Sequence, residues 1–90
     1  MEIKEERLSR AISAYYRRQV LRLLAKRELT VKEIAVSLKM SASLTSRHLK
    51  MLYDLGFLNV RAKPPHKYYS LKIKELIDLL DAYDVVIKKI

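Results

Sequence analysis

Residues 30 to 56 read TVKEIAVSLKMSASLTSRHLKMLYDLG, and their punctuation decides the fold. Thr30, followed three residues later by Glu33, forms a capping box, in which a hydroxyl and a carboxylate satisfy backbone donors at a helix start. Val31, Ile34, Ala35 and Leu38 then recur at helical spacing, which predicts a short helix over roughly residues 31 to 38. After Lys39-Met40, Ser41 is a good N-cap for a second helix. That helix carries Thr45, Leu49 and Leu52 on one face and is closed by Gly56. Two helices joined by so short a turn predict a helix-turn-helix over about residues 31–55.

Working outward, Phe57-Leu58-Asn59-Val60-Arg61-Ala62-Lys63 and His66-Lys67-Tyr68-Tyr69-Ser70-Leu71 flank Pro64-Pro65. Both arms hold aromatic or β-branched residues around a turn signal, the pattern of a β-hairpin, so residues 57–71 form a wing. On the amino-terminal side, Leu8, Ala11, Ile12, Tyr15, Tyr16, Val20, Leu21, Leu23 and Leu24 recur without glycine or proline, predicting two helices bent near Ser13. Residues 73–90 read as a last helix, with Ile73, Leu76, Leu80, Tyr83, Ile87 and Ile90 spaced alternately three and four apart. The fold class is mainly α with a small β-hairpin, a winged helix-turn-helix. A chain of 90 residues is expected to fold as one domain, residues 1–90.

Composition narrows the function. Nineteen Lys and Arg against ten Asp and Glu give a net charge of +9, an attractive field for polyanions. Residues 1 to 72 hold sixteen basic and six acidic side chains, whereas residues 73 to 90 hold three and four, so the last helix is not the part expected on nucleic acid. The absence of cysteine excludes a disulfide framework and a thiolate metal site. No glycine-rich phosphate loop, nucleophile–base pair or metal-ligand cluster points to catalysis, so no enzyme and no cofactor is expected. The MEIKEERLSR amino terminus lacks a signal-peptide apolar run, and no stretch approaches the roughly 20 apolar residues that span a bilayer. A cytoplasmic protein with no membrane contact is expected.

From Val31 to Leu71 the sequence VKEIAVSLKMSASLTSRHLKMLYDLGFLNVRAKPPHKYYSL resembles the helix-turn-helix and wing of ArsR-type regulators, a resemblance reaching back to about Val20. Its most specific part is Ser46-Arg47-His48-Leu49-Lys50 with Leu52 and Gly56-Phe57-Leu58. The resemblance implies a five-helix winged fold, a dimer through the terminal helices, and repression of promoters. Three departures stand out. Asp78, Asp81 and Asp84 lie on the last helix without a histidine, so the ligand set of the metal-sensing members is missing and no metal is expected. Thr45 replaces an apolar β-branched residue, its methyl expected inward and its hydroxyl bonded to the preceding helical turn. Pro64-Pro65 stiffens the wing tip and removes backbone donors.

The second helix sorts into an inward stripe and an outward polar one. Ser41, Ala42, Ser43, Leu44, Ser46, Arg47 and Lys50 are the expected contacts to double-stranded DNA. Small residues at the amino-terminal end let the backbone approach base edges, Arg47 suits bidentate donation to guanine, and Lys50 suits a phosphate. Leu44 is placed to meet a thymine methyl or to pack against Met40 or His48, and His48 is read as a partly buried imidazole without chemistry. Arg61, Lys63, His66 and Lys67 in the wing are expected to grip phosphates or to form a solubilising edge. Arg18 and Arg22, on one helical face, can touch flanking phosphates, although a solvated surface face is the default reading. The expected homodimer interface is Ile3, Leu8, Ile12, Ile73, Leu76, Leu80, Tyr83, Ile87 and Ile90, with Ile77, Leu79 and Val86 as a second apolar set. Such a dimer would repress from an inverted-repeat site. An architectural DNA-coating protein or a protein–protein adaptor on the same scaffold are the alternatives.

Overall fold

The computed structural model describes residues 3–90. They run α1 (Lys4–Ile12), α2 (Tyr15–Leu24), β1 (Leu29–Thr30), α3 (Val31–Leu38), α4 (Ala42–Asp54), β2 (Leu58–Lys63), β3 (His66–Leu71) and α5 (Leu76–Lys89). The strands form an antiparallel sheet in the order β1-β3-β2. The core gathers Val20, Leu21 and Leu24 of α2, Ile34 of α3, Leu49 and Leu52 of α4, Leu58 and Leu71 of the wing, and Leu76 and Leu80 of α5. Helix α2 is its centre, packed against α1, α3, α4, α5 and β3.

The expected bend near Ser13 is a full break, with Ala14 extended at φ −109° and ψ 135° before α2. Carbonyls exposed at the end of α1 need donors, and neighbouring side chains provide them. Ser13 Oγ donates to the Arg10 carbonyl at 3.3 Å and Arg17 Nε donates to the same oxygen at 2.9 Å. Arg18 Nη1 donates to the Ile12 carbonyl at 2.7 Å.

The structure adds a strand that the hairpin reading lacked. Leu29 pairs with Tyr69 and Thr30 with Tyr68, so the residues that interrupt the helices also extend the sheet. Helix α5 starts at Leu76 rather than Ile73. The Lys72 N–H donates to the Phe57 carbonyl at 3.0 Å and holds the chain to the wing, and a turn from Ile73 leads into the helix.

The dimer-interface expectation needs correction at Leu76 and Leu80. Leu76 and Leu80 are each 3% exposed in the protomer's own core, and Tyr83 is half-buried under the Arg18 guanidinium, 4.8 Å from the ring centroid. Leu76 and Leu80 pack into the core beside α2, so those two side chains are already removed from water. Leu8 and Ile12 are half-buried against the same core. Ile3, Ile73, Ile87 and Ile90 are exposed, together with Leu79, Val86 and the unanticipated Val85.

Candidate nucleic-acid interface

Helix α3 is fixed at its start by the reciprocal cap. Thr30 Oγ1 accepts from the Glu33 N–H at 3.2 Å, and Glu33 Oε1 accepts from the Thr30 N–H at 2.9 Å. These hydrogen bonds, chiefly the one from the Thr30 backbone, hold the Glu33 carboxyl below the usual carboxylate range. The helix ends on Lys39 in the left-handed conformation at φ 54°, with Met40 N–H donating to Ala35 O and Lys39 N–H to Val36 O. That doubly bonded exit turns the chain sharply enough for α4 to begin at Ala42.

Helix α4 is set by its N-cap and by three buried side chains. Ser41 Oγ accepts from the Leu44 N–H at 3.0 Å. Thr45, Leu49 and Leu52 are fully buried, and Thr45 Oγ1 donates to the Ser41 carbonyl at 2.8 Å, as its place in the sequence led one to expect. With this stripe inward, Ser41, Ala42, Ser43, Leu44, Ser46, Arg47 and Lys50 are all exposed. The helix closes on Gly56 at φ +92°. Gly56 N–H donates to Tyr53 O and Phe57 N–H to Leu52 O, which launches the wing at a fixed angle.

The strand register sorts the wing cations by face. Directly opposed residues share a face and alternate residues do not. Leu58 with Leu71, Val60 with Tyr69 and Ala62 with Lys67 therefore lie on one side, and Arg61 with Tyr68 and Lys63 with His66 on the other. Lys67 accordingly borders the groove between wing and α4, where Ser46, Lys50, Tyr53, Val60 and Tyr69 also contribute. Arg61 is held on the opposite face. It pairs with Glu28 and lies 4.9 Å from the Tyr68 ring centroid. The Arg61 hydrogen bond, outweighing burial, holds Glu28 below the usual carboxylate range, and the same bond raises Arg61. Lys63 and His66 are exposed beside it, His66 edge-on to Tyr68 at 6.5 Å.

Around α4, Lys50 Nζ meets Asp54 Oδ2 at 2.9 Å, and that hydrogen bond raises the lysine. Both groups are more than half exposed, so the pair contributes little and yields easily to a phosphate. Arg47 makes no hydrogen bond or ion pair among the described residues. His48 is half-buried near Tyr16, with ring centroids 6.4 Å apart. Burial first, then the Arg17 and Arg47 charges, hold its imidazole below the ordinary histidine value. Arg18 and Arg22 are instead engaged where α2 packs on α5: Arg18 covers Tyr83 and Arg22 pairs with Asp84. Among the described residues no group of three or more His, Cys, Asp or Glu is placed to hold a metal, and no helix is long and apolar enough to cross a membrane.

A buried stripe under an exposed second helix, beside a two-stranded wing, defines a winged helix-turn-helix regulator. Residues 16–60 match the family model described as bacterial regulatory protein, arsR family, and the chain belongs to that family. It is 34% identical over 76 residues to the transcriptional activator HlyU of Vibrio cholerae serotype O1, covering 81% of this chain and 70% of that protein. A solved structure of HlyU from Vibrio cholerae superposes with a TM-score of 0.81 at 29% identity over 92% of this chain and 90% of the other. The homodimeric winged helix-turn-helix DNA-binding domain of Mb0332 from Mycobacterium bovis, a possible ArsR-family transcriptional regulator, superposes with a TM-score of 0.82. The identity there is 27% over 96% of this chain and 80% of that one.

Proposed function

We infer that this protein is a sequence-specific regulator of transcription that binds an inverted repeat in double-stranded DNA as a homodimer. The observation that carries this reading is α4. Its buried Thr45, Leu49 and Leu52 turn Ser43, Ser46, Arg47 and Lys50 outward on a rigid, capped helix that fits a major groove. Arg47 reads a guanine, Ser43 and Ser46 reach bases or phosphates, Leu44 meets a thymine methyl, and Lys50 and Lys67 neutralise backbone charge on the α4 side of the wing. Lys63 and His66 reach the backbone from the wing's far face, and Arg61 joins them only by leaving Glu28.

The exposed stripe of Leu79, Val86, Ile87 and Ile90, with Ile3 and Ile73, supports a two-fold partner. The homodimeric state of the Mycobacterium bovis domain supports it further. In such a dimer the two α4 helices enter successive major grooves about 34–36 Å apart. The sign of regulation follows from position. Repression from a site overlapping a promoter is the outcome proposed here, whereas HlyU is named a transcriptional activator.

Selection of bound duplexes from a random pool at physiological salt, with light scattering on the free protein, tests this reading. Enrichment of an inverted repeat by a dimer is expected. Enrichment of no sequence, or a monomer at micromolar concentration, overturns it.

A further inference from the structure

We propose that the corner where α1 meets α2 is a second phosphate-binding element, in which Arg17 holds a DNA backbone phosphate on the α1 side of α4. This rests on the DNA-binding reading above. It adds a contact that neither the reading helix nor the wing supplies.

The first observation is the convergence of cations from three helices. Arg17 Nε donates to the Arg10 carbonyl, so the Arg17 guanidinium is anchored at the end of α1. Arg10 and Arg47 line one groove between α1 and α4, together with Lys50, Met51, Asp54 and Leu55. Arg17 and Arg47 both act on the His48 imidazole, so both charges lie near it. Asp54 also lines that groove and is engaged by Lys50. Like charges gathered in this way favour an anion between them.

The second observation is how Arg17 is held. Nε donates to Arg10 O at 2.9 Å and Nη2 to Ser13 Oγ at 3.0 Å. Among the described residues nothing accepts from Nη1. A planar guanidinium fixed along one edge presents the remaining N–H groups in a set direction, the arrangement suited to a phosphate's paired oxygens. Burial and the neighbouring Arg10 charge lower its pKa, the electrostatic cost that a bound phosphate relieves.

The position on α4 also fits. Arg47, Met51 and Leu55 form the α1-facing edge of the helix and Ser46 and Tyr53 the wing-facing edge, with Lys50 and Asp54 bordering both grooves. The reading helix is thereby flanked on one side by Lys67 and on the other by Arg17. Backbone contacts of this kind fix the register in which Arg47 meets a base.

The experiment measures affinity for the selected duplex between 50 and 200 mM salt for the parent, Arg17→Gln and Arg17→Lys. A parallel series of duplexes carries one neutral methylphosphonate at a time. Loss of one phosphate contact per protomer lowers the slope of log affinity against log salt by about two for the dimer, so Arg17→Gln loses roughly tenfold less affinity over that range than the parent. Arg17→Lys, retaining the charge, is expected to keep most of the slope. Neutralising a phosphate just outside the bases read by α4 weakens the parent several-fold and leaves Arg17→Gln unchanged. The methylphosphonate series needs no variant, so it stands even if Arg17→Gln disturbs the α1–α2 corner. A parent sensitive to no phosphate on that flank overturns the proposal, as does an unchanged salt slope in folded Arg17→Gln. Competition by millimolar inorganic phosphate without any sensitive backbone position also overturns it, by assigning the corner to a free anion. A parent that binds no duplex overturns the DNA-binding reading itself and is recognised by its failure in every arm.

Discussion

Replacing Gly56 by alanine perturbs the joint between α4 and the wing in two separable ways. The backbone there has φ +92°, and a conformation on the left-handed side costs an L side chain roughly 1–2 kcal/mol. The new Cβ would also lie 2.7 Å from Arg7 Nη2. That nitrogen donates to the Leu55 carbonyl at 2.7 Å, and Arg7 Nε donates to the same oxygen at 3.2 Å. Arg7 is the flexible partner and gives way, so the further loss is a charged hydrogen bond to a helix-end carbonyl. Such bonds contribute about 1.5–3 kcal/mol, less at a half-buried position such as this one. The two effects together come to roughly 2–4 kcal/mol, a fall in Tm on the order of 10–25 °C for a domain of this size. Thermal unfolding followed by circular dichroism, at one fixed protomer concentration, measures it. In an Arg7→Ala background only the backbone part remains, so the double-mutant cycle should show a coupling of about 1 kcal/mol. A cycle additive within about 0.3 kcal/mol refutes the Arg7 contact, and a neutral Gly56→Ala refutes the whole line of reasoning.

Thr45→Val should change stability by no more than about 1 kcal/mol, because the Ser41 carbonyl that loses the hydroxyl still accepts from the Thr45 N–H; denaturant unfolding that shows a loss above about 3 kcal/mol would assign the hydroxyl a larger role. Acid should weaken the start of α3: Glu33 has a lower pKa folded than unfolded, so its contribution is complete above the unfolded carboxylate value and is lost as pH falls through the folded one. Glu33→Gln should flatten that limb of the stability–pH curve, and an unchanged curve would dismiss the capping carboxylate as its source. Val86→Glu with Ile87→Glu should yield a folded monomer by sedimentation, whereas Leu80→Glu should fail to fold because Leu80 lies in the protomer core. A dimeric Val86→Glu/Ile87→Glu protein would move the interface elsewhere.

Local chemistry made much of the fold legible. Thr30 with Glu33, Ser41 and Gly56 each act on backbone groups a few residues away, so sequence spacing alone locates α3, α4 and the wing's first residue. The inward set Thr45, Leu49 and Leu52 was readable for the same reason, and with it the outward face of α4. Strand β1 was not, because two residues are too few to show alternation and its partners lie forty residues away in β3. The repeat in α5 was visible, but its phase could not say which half packs on α2, since apolar residues lie on both sides of it. The wing cations read as equivalent until register divided Lys67 from Arg61, Lys63 and His66. The Arg61–Glu28 pair and the meeting of Arg17 with Arg10 at a helix break depend on tertiary approach, and no spacing rule announces them.

The central claim is that Arg47 on α4 reads DNA sequence, and the most direct measurement compares parent and Arg47→Ala. Both proteins are titrated, at one salt concentration, against the selected inverted repeat and against duplexes changed one base pair at a time. Loss of Arg47 should cost roughly 1–3 kcal/mol per base contact on the preferred site, about five- to 150-fold in affinity. It should also abolish discrimination at one symmetric pair of positions while leaving the others intact. Identical base preferences in Arg47→Ala and the parent, at whatever affinity, would contradict the claim.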